Sequence, residues 1–143
     1  MYALSNRSCA WSYGGELALL AIGFQVKNLT DETVTFKATD ITSAKIDGHK
    51  AKVVLDPKTA INGRDVGEYT PLFDANGTKT YAPGKNLNKA EEGCIYFQPV
   101  YAEGEAHVNK NWSSLEFTFK LKGKTSTFVM TRNADGNVTS ARK

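Results

Sequence analysis

The segment Leu115-Glu116-Phe117-Thr118-Phe119-Lys120-Leu121-Lys122 constrains this chain more than any other. Apolar and polar residues alternate one for one, and a period of two marks a strand with one buried face. Leu115, Phe117, Phe119 and Leu121 are expected to point inward, with Glu116, Thr118, Lys120 and Lys122 outward. Gly123-Lys124 supplies a turn. Residues 125–132 return with Phe128 and Met130 against Thr127, Val129 and Thr131.

The same period recurs upstream. Leu20, Ile22, Phe24 and Val26 alternate with Ala21, Gly23, Gln25 and Lys27. Asn28-Leu29-Thr30-Asp31-Glu32 carries the side chains that bond their own backbone in turns, and Val34, Phe36 and Ala38 resume the alternation. Asp47-Gly48 is a hairpin signal, because a type I′ turn needs positive φ at both central residues. Asp56-Pro57 closes the arm after it. The stretch Gly93-Cys94-Ile95-Tyr96-Phe97-Gln98-Pro99-Val100 is apolar or aromatic on both faces. It reads as a central strand whose pairing weakens at Pro99, which has no N–H.

Between residues 58 and 92 periodicity fades into the turn dipeptides Asn62-Gly63, Asn76-Gly77 and Pro83-Gly84. That stretch is expected to hold one short helix or edge strands, pinned by Tyr69, Leu72, Phe73 and Tyr81. No amphipathic helix of about ten residues or more is visible. A chain of 143 residues, 41% hydrophobic and 23% charged, fits one domain over residues 1–143. About seven strands with closely spaced turns predict an all-β fold, an antiparallel β-sandwich.

Residues 24–36, FQVKNLTDETVTF, and residues 87–100, LNKAEEGCIYFQPV, give this order of parts a likeness. It resembles the telokin-like, immunoglobulin-like domains of bacterial secreted proteins and lipoproteins of unknown function. The resemblance implies an immunoglobulin-like sandwich acting as a secreted or envelope-attached interaction module, with no catalytic site. It is not an antibody-type domain: Trp11 and Trp112 do not fall suitably between Cys9 and Cys94.

Composition and spacing narrow the chemistry. The net charge of +3 comes from scattered lysines, so no nucleic-acid surface is expected. No apolar run approaches the ~20 residues that span a bilayer. Cys9 and Cys94 allow a disulfide or a buried free thiol at Cys94 beside an unrelated Cys9, and the second is preferred. Neither belongs to a C-x-x-C pair. His49 and His107 read as exposed loop histidines, and the dispersed aspartates lack calcium-loop spacing. Gly14-Gly15 does not join a strand to a helix, so it is no phosphate loop. The N-x-S/T triplets at Asn6, Asn28, Asn76, Asn111 and Asn137 read as turn chemistry rather than glycosylation. No metal, cofactor or catalytic residue is expected.

The expected function is therefore noncatalytic protein binding through loop aromatics, with Tyr69, Tyr81 and Trp112 as the candidate site. The partner is a protein of unspecified identity. No signal peptide is visible before Gly14. The location expected is secreted or cell-envelope, as a mature exported form, or else cytoplasmic. The alternative function is an intracellular inhibitor or accessory protein, phage or mobile-element encoded, that blocks a macromolecular partner. A hydrolase using Cys94 or a histidine is the third reading.

Overall fold

The alternating residues of separate segments are brought to one face by antiparallel pairing. The structure is a computed structural model describing residues 2–84 and 91–143. It is all-β, with ten strands, one single-turn α-helix and one 3-10 turn (Ala38–Asp40) among those residues: β1 (Tyr2–Tyr13), β2 (Glu16–Lys27), β3 (Val34–Lys37), β4 (Ile41–Ile46), β5 (His49–Val54), α1 (Pro57–Ala60), β6 (Thr78–Tyr81), β7 (Glu91–Pro99), β8 (Ser114–Leu121), β9 (Lys124–Arg132) and β10 (Val138–Arg142). Eight of them form one curled sheet in the order β1-β2-β7-β5-β4-β8-β9-β10. Its two edges, β1 and β10, bring Cα atoms within 8 Å of each other. Strands β3 and β6 pair separately. Residues 87–90 of the telokin-like stretch lie outside the described residues.

Register decides which side chains face inward. Leu20 lies opposite Phe97 and Ile22 opposite Ile95. Ala44 lies opposite Phe117, and Phe117 opposite Phe128. All of these residues belong to one cluster on the concave face. The small sheet covers part of that face, because Val34, Phe36 and Tyr81 pack into the same cluster. The seven phenylalanines of the chain form one continuous network: Phe73 meets Phe36, Phe36 meets Phe119, and Phe117 touches Phe24, Phe97, Phe119 and Phe128.

Strand β2 is buried on both faces, which explains its unbroken apolar run. Leu19 and Ala21 point outward and join Cys94, Tyr96 and Ile61 in a second cluster. The segment after β5 folds back over this outer face. Its helix α1 is capped by the Asp56 carboxylate, which accepts the Lys58 N–H, and Pro57 occupies the first turn, where no N–H is missed. Further on, Leu72 donates its N–H to the Cys94 carbonyl at 2.8 Å, and Cys94 donates to the Thr70 carbonyl at 2.9 Å. The chain there lies so close to β7 that a Cβ on Gly93 would meet the Leu72 Cα at 2.6 Å. Glycine is required at that position.

Asn28 fastens the small sheet. Its amide donates to the Glu32 carbonyl at 2.6 Å and the Tyr81 carbonyl at 3.0 Å, and its Oδ1 accepts the Thr30 N–H at 3.0 Å. With 2% exposure it is closed to sugar attachment, in keeping with its reading as a turn residue.

The strand count exceeds the expected seven for identifiable reasons. Strand β1 lacks clean alternation. Strand β10 buries only Val138, and β6 lies in the stretch without periodicity. Strand β7 ends at Pro99, where pairing was expected to weaken. Among the described residues no helix is long and apolar enough to cross a membrane.

Replacing Gly93 by alanine should destabilise the protein by about 1–3 kcal/mol, since backbone must shift to admit the methyl group. Urea unfolding of the wild type and Gly93→Ala measures this, and an unchanged midpoint would contradict the close approach.

Candidate ligand-binding cavity

Following the inward row along β9 shows a change of character. Register places Met130 opposite Leu115, Phe128 opposite Phe117, Ser126 opposite Phe119 and Lys124 opposite Leu121. The concave face therefore turns from apolar to polar toward the β8–β9 hairpin. On β10, Arg142 lies opposite Phe128, so its side chain leaves the strand on this same face. Its guanidinium donates to the Ser126 hydroxyl at 2.5 Å.

These residues border a cavity of about 380 Å³. Phe24, Ile95, Leu72 and Phe117 line its inner part, and the half-buried rings of Phe36, Phe119 and Phe128 form its walls. Thr30, Lys122, Lys124, Ser126 and Arg142 line its polar end. Lys122 was expected to face outward with Lys120. Instead the chain turns at Lys122, with φ of +50°, and brings it to the cavity.

The polar end carries a positive imbalance. Lys122 lies 3.7 Å from Glu32, both side chains exposed. The exposed Lys124 ammonium has no ion-pair partner among the described residues, and Arg142 bonds a hydroxyl rather than a carboxylate. Glu116, on the outer face, is engaged by Lys143 at 3.0 Å.

The opposite end of the curled sheet is closed by the segment after β7. Trp112 and Val108 are buried in the main cluster, and Tyr101 packs against it. The Arg132 guanidinium donates to the Trp112 carbonyl at 2.9 Å and sits 5.6 Å from its ring. Two histidine–carboxylate pairs hold this segment down. His49 meets Glu105 and His107 meets Glu16, each at 2.7 Å, with the His107 ring stacked on Tyr101 at 4.1 Å. Among the described residues each imidazole is bonded to a carboxylate rather than to a hydroxyl or thiol. The carboxylate partners lie 56 and 91 residues away in sequence, so no local pattern could point to them.

The three candidate aromatics do not assemble into one site. Trp112 and Tyr81 are each only 2% exposed, Trp112 at the closed end and Tyr81 on the small sheet. Tyr69 lies on the outer face, edge-on to Trp11 and covered by the Arg7 guanidinium at 4.4 Å. Proximity to turns did not mean exposure, because large aromatic surfaces are drawn into the interior. Cys9 and Cys94 are free thiols. Cys9 pairs with Ala21 and Cys94 with Gly23, so strand β2 separates them. Two strand spacings of ~4.8 Å exceed the ~7 Å Cα limit for a disulfide. Burial pushes both thiols above their usual pKa. Among the described residues no group of three or more His, Cys, Asp or Glu converges on a metal position.

Compared with known proteins, the chain has no significant match to any family model, curated protein or solved structure.

Two measurements check this description. Unfolded protein should release two titratable thiols per chain to a thiol-reactive disulfide reagent; none would indicate a bridge. Glu105 is held below the usual carboxylate range by the Ala102 N–H and then by His49. A carboxyl lowered in the folded state stabilises above its unfolded value, and that contribution is lost as pH falls through the lowered value. The stability difference between wild type and Glu105→Gln should therefore be full above about pH 4.5 and shrink on acidification. A difference that stays constant into acid would contradict it.

Proposed function

We propose that this protein is a noncatalytic binding domain whose ligand is an apolar small molecule seated in the cavity of the curled sheet. One observation carries the reading: a space of about 380 Å³, walled by three half-buried phenylalanines, with hydroxyl and cationic side chains among its lining. Ligand sites are typically concave, mostly apolar and about 300–1,000 Å³, with a few polar groups that orient the ligand. A closed eight-stranded barrel has an interior of the size that holds one small ligand, and the near approach of β1 and β10 brings this sheet toward that form.

The broader reading as a protein-interaction module is supported by the telokin-like resemblance and by the packing of two sheets. The immunoglobulin-like assignment rests on that resemblance, whereas the near approach of β1 and β10 favours a container over an open sandwich. The resemblance also supports a secreted or envelope location. The separated thiols remove the disulfide that would have strengthened it. The intracellular inhibitor stands as the alternative.

Titration with a medium-chain alcohol such as dodecanol should raise the thermal midpoint, because a ligand that binds only the folded state adds stability by mass action. Ring resonances of Phe119 and Phe128 should move in NMR spectra. Ser126→Phe, which fills the space from a position already facing it, should reduce both responses while keeping the β-type circular dichroism. Ring resonances unmoved by any apolar probe would overturn the proposal.

A further inference from the structure

We propose that the cavity selects an alkyl carboxylate: one chain among the phenylalanines, and a carboxylate at Lys124, Ser126 and Arg142. This rests on the cavity being the binding site. The residues at the polar end are chemically suited to that headgroup. Arg142 uses one donor on the Ser126 hydroxyl. A guanidinium has five donors in a planar fork that matches a carboxylate bidentately. Because the Ser126 oxygen accepts from Arg142, its own O–H is free to donate to an incoming oxygen. Lys124 adds an ammonium with no ion-pair partner among the described residues, on the same face.

The surrounding charge favours an anion over a neutral polar head. Three cationic side chains border the opening, and the only carboxylate paired with them among the described residues is Glu32, 3.7 Å from Lys122. A neutral head would leave that charge imbalance in place. The donors lie where the row of Phe117, Phe119 and Phe128 gives way to Ser126 and Lys124, so head and tail positions are continuous. A single chain suits this arrangement, because the space is about 380 Å³ and its walls are one network of rings.

Calorimetric titration of the full chain with dodecanoate and with dodecanol separates the two levels of the argument. Dodecanoate should bind the wild type more tightly than the alcohol. Arg142→Gln and Lys124→Gln, both at exposed positions, should each weaken dodecanoate about tenfold and leave dodecanol nearly unchanged. Raised salt should narrow the gap between acid and alcohol. Equal affinity for the two probes, untouched by either substitution, would overturn the carboxylate inference and leave the cavity reading intact. Binding of neither probe would overturn both. Association only with phosphatidylglycerol vesicles, without uptake of free dodecanoate, would also overturn the inference, in favour of a membrane surface.

Discussion

The architecture depends on Phe117. It stands on β8 in a cross-strand row with Ala44 on one side and Phe128 on the other. Yet its ring also meets Phe24 of β2 at 5.9 Å and Phe97 of β7 at 5.5 Å, strands from the other part of the same sheet. A flat sheet could not make both sets of contacts. The curl is thus the geometry that lets inward rings of remote strands meet, and it draws β1 toward β10. Offset and edge-on ring pairs add about 0.5–1.5 kcal/mol each beyond burial, which favours this register over its competitors. A slip of one residue would turn Glu116 and Thr118 inward in place of Phe117.

The two ends of the curled sheet are treated differently. At one, the segment after β7 supplies Trp112 and Val108 as a plug, and two histidine–carboxylate pairs and Asp47 hold it in place. Asp47, in a left-handed turn conformation, accepts from the Ser113 and Ser114 N–H groups at 3.0 and 2.8 Å. At the other end, the β2–β3 turn and the β8–β9 hairpin bring hydroxyl and cationic groups instead of a large apolar side chain. Asn28 stiffens that first turn from within, so the opening has a fixed rim on one side.

Much of this was legible in the sequence. The alternation at Leu115–Leu121 correctly assigns the inward face of β8, whereas for β9 it only separates Phe128 and Met130 from Thr127, Val129 and Thr131, and the pairing with β8 decides which set faces inward. Extending the period of Phe128 and Met130 places Ser126 and Lys124 on their face, so two of the five polar-end residues lie on a line that the pattern marks. The rest was not. Arg142 acquires its position only through the pairing of β9 with β10, a strand with one buried residue. Thr30 reaches the cavity through a turn whose path Asn28 sets by bonding Tyr81, 53 positions away. Strand β2 hid its two-sided burial in a continuous apolar run that periodicity alone cannot interpret. The three aromatic candidates lie apart because adjacency to a turn says nothing about which way a ring points.

The cavity itself sets a limit on how this protein can exist. A sealed void destabilises by about 24 cal/mol per Å³, so about 380 Å³ would cost ~9 kcal/mol. That rivals the whole stability of a typical domain, roughly 5–15 kcal/mol. The space is only partly enclosed, and a space open to solvent does not carry the cost of a sealed void. Covering the half-buried rings of Phe36, Phe119 and Phe128 with the apolar ligand proposed above would be favourable at about 25 cal/mol per Å² of apolar surface removed from water. The same ring-to-ring contacts that hold Phe36, Phe119 and Phe128 in one network leave their remaining faces as the apolar surface that such a ligand would cover.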